Sequence, residues 1–267
     1  MSQRKNNWRT LAIGAALMTL VPWLGLAAPS DSLNELLRQT GKQMEAFVDH
    51  FSLVKCTELV EQTKLGKEER VLEKEDSVFD YLALLQAADG ELTVNESRLA
   101  QKETGQDPKN PLLVTNGFST LLLIFHPDYQ PSFEFAELED KEVDGKRLAQ
   151  IAFRYIHGRP SPAVLLLRGR EYPLPFTGIA WVDRESGAIV RIQAGIDGGM
   201  EDIGLRSLHS DVRYAAFKFP PETQTYWLPV TATIELETPR QHWRNVHRFT
   251  AYKHFAVATQ STIGQQP

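Results

Sequence analysis

Cysteine is nearly absent: Cys56 is the only one in 267 residues. A disulfide framework and a zinc–thiolate site within one chain are thereby excluded. Gly-x-Gly-x-x-Gly and Walker patterns are missing, so no nucleotide cofactor is implied. Gly-x-Ser-x-Gly is missing too, and Ser186 before Gly187 is an ordinary turn serine, so no serine nucleophile is marked. Positive charge is in deficit, with 29 Lys and Arg against 34 Asp and Glu and a net charge of −5. Such a surface repels phosphate backbones and gives nucleic-acid binding no electrostatic footing. After Leu26 no stretch is apolar for long enough to span a bilayer.

The N-terminus is different. Arg4, Lys5 and Arg9 precede an apolar run from Leu11 to Leu26, which closes on Gly25, Ala27 and Ala28. Basic, apolar and small residues in that order predict a secretory signal peptide over 1–27, cleaved after Ala27. The run is shorter than the roughly 20 residues of a spanning helix, and Pro22 suits a cleavage region. No cysteine lies near the site, which argues against a lipid-modified N-terminus. Cleavage removes three positive charges and takes the net charge from −5 to −8. The mature protein is expected in the periplasm or secreted beyond it, with no transmembrane segment. Residues 28–258 read as one β-rich domain long enough for a sizeable core, and 259–267 as a disordered tail.

Ser30 or Asp31 can cap a helix whose apolar positions are Leu33, Leu36, Leu37, Met44, Phe47, Val48 and Phe51. Their spacing of three and four gives one apolar stripe, and Gly41 weakens its middle, so one helix with a soft point there or two short ones are expected. From Val54 the period changes to two. Asp89-Gly90 sits between Phe79–Ala87 and Glu91–Leu99, and Asp144-Gly145 between Ser132–Val143 and Lys146–His157. Asp-Gly between strand-like segments predicts a hairpin, because the turn needs positive φ. A third turn, Arg184 to Gly187, joins Thr177–Asp183 to Ala188–Ile196. Pairing Asp183 with Ala188 sets Trp181 opposite Val190 and Ile179 opposite Ile192, all on one face. Tyr226, Leu228, Val230, Ala232, Ile234 and Leu236 alternate with polar residues, as in an antiparallel sheet covered on one face. Pro229 places an edge or bulge there. A last strand runs from about Trp243 to Val257. Thr115 or Asn116 can cap a helix through Phe118 and Leu121–Phe125 that stops at Pro127. It is apolar nearly all round, so it must be buried, most simply inside the curve of the sheet.

Candidate chemistry is sparse. His242 and His254 share a strand face and His247 takes the other, and twelve residues of strand span roughly 40 Å, so they cannot share a metal. The carboxylates of Glu137–Glu142 and Glu73–Asp76 alternate with lysines as a solvated face does, not as a glycosidase pair. Asp197 to Asp202 has calcium-type ligands without EF-hand spacing. Asn95-Glu96-Ser97 is a sequon inside a strand segment. No catalytic residue, metal site or cofactor is therefore assigned. What remains is an apolar set, which is either plain core or the lining of a cavity between sheet and buried helix.

Taken in order, these pieces resemble the periplasmic lipoprotein-carrier (LolA-like) superfamily. The likeness lies in Gly178–Ile192, with its Asp183-to-Gly187 turn, and then in Asp211–Tyr214, Tyr226–Val230 and Phe249–Phe255. The resemblance implies an α+β fold: a curved antiparallel half-barrel with an N-terminal amphipathic helix and a short apolar helix in its concave face. It also implies a non-enzymatic protein that binds a lipid or acyl chain there. The alternative is an envelope protein–protein interaction or sensor module of the same fold. The candidate ligand-binding residues are Phe118, Leu122, Phe125, Phe153, Tyr155, Trp181, Ile192, Tyr226 and Leu228. The partner is expected to be a hydrophobic small molecule or lipid, or an envelope protein.

Overall fold

The structure, a computed structural model, describes residues 30–88, 91–101, 117–143, 145–167, 170–196 and 198–255. The expected signal peptide and tail, Asp89-Gly90, Asp144, Asp197 and the caps at Thr115 or Asn116 lie outside them.

Helix α1 spans Asp31–Phe51, and the Ser30 hydroxyl accepts from Leu33 N at 3.1 Å to close its first turn. All seven apolar positions of the stripe are buried. Gly41 is not a soft point: the helix runs through it unbroken. A Cβ there would meet Gln130 Nε2 at 3.1 Å and Pro127 Cγ at 3.2 Å, so the glycine allows a close approach.

Strands β1 (Val54–Leu65), β2 (Val71–Ala88), β3 (Glu91–Ala100), β4 (Phe133–Val143) and β5 (Lys146–Tyr155) follow. A small hairpin, β6 (Val164–Leu167) with β7 (Arg170–Pro173), precedes β8 (Phe176–Val182), β9 (Ile189–Ile196), β10 (Ser207–Phe217), β11 (Tyr226–Glu237) and β12 (His242–His254). Ten strands form one antiparallel sheet in the order β3-β2-β1-β12-β11-β10-β9-β8-β5-β4. The sheet is curved and does not close, and α1 fills its concave side together with an apolar 3-10 helix, Phe118–Phe125. The fold is therefore the α+β arrangement expected from the sequence. Among the described residues no helix is long and apolar enough to cross a membrane.

Two bulges move residues from their expected faces, and a third falls at Pro229, where an edge or bulge was expected. In the third hairpin Asp183 N donates to Ala188 O as expected, but a register shift follows between Trp181 and Val182. Ala180 then pairs with Ile192, and Trp181 with Arg191. Ala180, Val182 and Ile192 enter the core, while Trp181 turns to the convex face. On β11 the shift falls between the partners of Arg213 and Tyr214, where Pro229 sits and Val230 is the extra residue. On β12, Ala251 has φ 52, and two residues there oppose Cys56 alone. The inward phase therefore passes from Asn245, His247 and Phe249 to Tyr252 and His254. His247 and His254 end on one face, contrary to simple alternation.

The buried helix winds as a 3-10 helix, with Gly117 before it at φ 81, and ends before Pro127 as expected. Eight residues is long for this form, in which side chains at i and i+3 eclipse.

Candidate functional site

The concave face carries most of the predicted set. Leu122, Phe125, Phe153, Tyr155, Ile192, Tyr226 and Leu228 all belong to one buried cluster, with Phe118 packed partly exposed against it. Phe125 lies 5.8 Å edge-on from Phe153 and 5.1 Å from Phe135. Gly178 on β8 makes room for that stack, since a Cβ there would sit 2.7 Å from Phe153 Cζ. Tyr226 stands apart from these rings, against His50 at the end of α1 and against Phe219 and His254.

Trp181 corrects the set. Its neighbours in the ladder are Gln150 and Arg191, and the Arg191 guanidinium covers its ring at 4.9 Å. Arg191 is held in turn by Asp211. The extra residue is Val190 on β9, which brings Ile192 into the inward phase of Ala180 and Val182 and leaves Trp181, between those two on β8, on the opposite face.

Sequence reasoning missed a polar network at the β3 end of the same face. Glu58 on β1 accepts from Arg98 Nε at 2.6 Å and from Arg98 Nη2 at 3.0 Å, a two-pronged pair. His247 Nδ1 lies 2.7 Å from Glu58 Oε1. Arg98 Nη1 donates to Glu96 Oε2 at 3.0 Å, and Glu96 Oε1 accepts from Gly117 N at 3.0 Å and Ser119 Oγ at 3.1 Å. The Ser119 hydroxyl is also 2.7 Å from Tyr81 OH, and Tyr214 OH donates to Ser119 O at 3.2 Å. A charged chain thus runs from β12 through β1 and β3 into the first turn of the inner helix.

Its electrostatics are those of a strut. Burial pushes the Glu58 carboxyl up, but the hydrogen bonds from His247 and Arg98 outweigh it and hold the group below its ordinary value. Burial opposes the charge on Arg98, and the carboxylates of Glu58 and Glu96 overcome that and keep it charged. The side chains of Glu58 and Glu96 are 0% and 2% exposed and that of Arg98 is 17%, so solvent reaches the chain at Arg98 alone of these three. All four carboxylate oxygens have donors, so the network ties β12, β1, β3 and the inner helix together. Cys56, also inward, has its thiol pushed up to about 12 by burial, which makes it a poor nucleophile.

The far end of the inner helix is tied down as well. Gln130 Nε2 donates to Phe125 O at 2.8 Å and to Leu37 O at 2.9 Å, joining the helix to α1. The sequence does carry one mark of the network. Val54, Cys56, Glu58, Val60 and Gln62 share the inward phase of β1, and a charge in that phase needs a buried partner.

No protein-family model matches the chain. No curated protein matches it either. The chain is similar to three solved structures. An outer membrane lipoprotein-sorting protein domain from Vibrio parahaemolyticus is 9% identical, with 87% of this chain and 95% of that one covered at a TM-score of 0.42. A DUF1329 family protein from Desulfovibrio piger is 12% identical, with 84% and 94% covered at 0.43. A LolA superfamily protein from Nitrosomonas europaea is 9% identical, with 83% and 94% covered at 0.38. Scores this low carry no weight for function, which has to come from the geometry of this chain.

Proposed function

We propose that this is an exported, non-catalytic binding protein of the cell envelope that takes up a lipid or acyl chain in the concave face of its sheet. The ligand enters as the inner helix leaves. One observation carries this reading: an eight-residue apolar 3-10 helix fills the concave face and is pinned at each end by polar side chains. Its winding is the poorer-bonded form, and the sheet that holds it is open at both edges. Such an element can be displaced without unfolding the sheet.

The energetics select the ligand. Returning Leu121, Leu122, Leu123, Ile124 and Phe125 to water costs roughly 2 kcal/mol each, about 10 kcal/mol together. A ligand that takes their place gains about 0.8 kcal/mol per methylene, so about 12 methylenes only offset this loss, and net binding needs a longer chain that also covers the hydrogen bonds of Glu96 and Gln130. Short acids and small aromatics fall short. The candidate contacts are Leu122, Phe125, Phe153, Tyr155, Ile192 and Leu228, with Phe118 at the margin and Tyr226 at the far end.

Native mass spectrometry of the protein purified without detergent, before and after organic extraction, tests the proposal. An added mass that extraction removes, or uptake of long but not short fatty acids, supports it. A bare mass that long-chain lipids leave unchanged makes the concave face an ordinary core.

A further inference from the structure

The open sheet ends in two edge strands, β3 and β4, and they are not alike. An edge offers unpaired backbone N–H and C=O groups to any extended chain, and proteins blunt that risk with charges, prolines and bulges. β4 is blunted. Its ladder is broken by a register shift between Leu138 and Lys141, and that stretch carries Glu137, Glu139, Asp140, Lys141 and Glu142. Arg184 and Arg147 fold over it as ion pairs with Asp140.

β3 lacks the bulge and the outward charges that blunt β4. It pairs with β2 through ten consecutive residue pairs without a shift, from Ala88 with Glu91 to Phe79 with Ala100. From Leu92 onward its convex-facing positions are Thr93, Asn95, Ser97 and Leu99, none of them charged. Its charged residues Glu96 and Arg98 face the concave side, where the buried network holds them. Leu99 is 69% exposed, and Leu84, opposite Asn95 on β2, is 42% exposed. Among the described residues nothing pairs with the outer side of β3.

We propose that β3 pairs antiparallel with the β3 of a second copy of this chain, joining two sheets across a two-fold axis near Asn95. Charge decides for a second copy. The axis sets Thr93 opposite Ser97 of the partner subunit and Asn95 opposite Asn95 of the partner subunit, with no like charges facing. A β4–β4 junction would place acidic residues against acidic residues. The exposed Leu84 and Leu99 add an apolar margin on the convex side. The ligand reading is not required for this, since the concave face stays free in the dimer.

Analytical ultracentrifugation of the full mature chain is compared with the Thr93→Lys/Ser97→Lys double variant, which places two positive charges per copy on exposed positions of the edge. The wild type is expected at the mass of two chains. The variant is expected to weaken association about tenfold or more and to sediment as one chain, with its far-UV circular dichroism unchanged. A one-chain mass for the wild type at its highest soluble concentration overturns the proposal, as does a two-chain mass that survives in the folded variant. A monomer that instead captures an added peptide of the β3 sequence assigns the edge to a foreign strand and also overturns it.

Discussion

Replacing Arg98 with methionine removes the guanidinium that joins two buried carboxylates and keeps most of the side-chain volume. Glu58 and Glu96 are 0% and 2% exposed at their side chains, so each loses the guanidinium with little water to replace it, although Glu58 keeps His247 Nδ1 at 2.7 Å. Breaking a buried pair by removing one partner costs about 3–5 kcal/mol. For a domain of this size each kcal/mol lowers the thermal midpoint by roughly 2–4 °C, so the variant should melt about 6–20 °C below the wild type at pH 7.5. The stranded carboxyls acquire raised pKa values, and a carboxyl raised in the folded state regains stability as pH falls. The deficit should therefore shrink at pH 5. The triple variant Glu58→Gln/Glu96→Gln/Arg98→Met should recover much of the loss at neutral pH, because it leaves no charge unpaired. Differential scanning calorimetry of the three proteins at both pH values reads all of this. A deficit under about 1 kcal/mol, or one that does not change with pH and is not repaired by the triple variant, would refute the buried-charge reasoning.

Acid should destabilise the wild type in two stages. Burial, more than its neighbours, lowers His50 below its ordinary 6.5, so the stability that neutral His50 contributes is present above that value and is lost as pH falls below it. Glu58 is held below 4.5, so its contribution is lost only as pH falls through that lower range. The His50→Gln variant should lack the first stage in urea titrations. The β1–β2 hairpin turns on Glu68 and Glu69, at φ 56 and φ 55, where Asn-Gly is the favoured pair. Glu68→Asn/Glu69→Gly should raise stability by about 1–2 kcal/mol, visible as a higher urea midpoint. Gly178→Ala would put a Cβ 2.0 Å from Gln193 O, and should cost about 3 kcal/mol and disturb the Phe153–Phe125 stack in near-ultraviolet circular dichroism.

Local features of this chain were legible in its sequence. The three- and four-residue spacing of α1 and its Ser30 cap, the hairpins at β2–β3, β4–β5 and β8–β9, and the burial of Leu121–Phe125 all follow from period and turn chemistry. Faces were less legible, because a bulge adds one residue and reverses every side chain beyond it. Nothing around Val190 or Ala251 marks such an insertion, so Trp181 and the histidines of β12 read onto the wrong sides. The polar network was hidden for a different reason. Its members are neighbours only after folding, with Glu58 separated by 40 positions from Arg98 and by 189 from His247. What the sequence did hold was an isolated charge on the apolar phase of β1, which shows that a partner is needed without saying where it is.

The most direct test of the account is amide hydrogen exchange across 117–126, with and without a long-chain fatty acid. In the free protein Thr120 N donates to Gly117 O and His126 N to Leu123 O, so these amides start protected. Exchange of a concave-face helix for ligand predicts that they lose protection when the acid binds, while the amides of β8 and β9 keep theirs. Protection of the inner helix that is unchanged or increased in the liganded protein would contradict it.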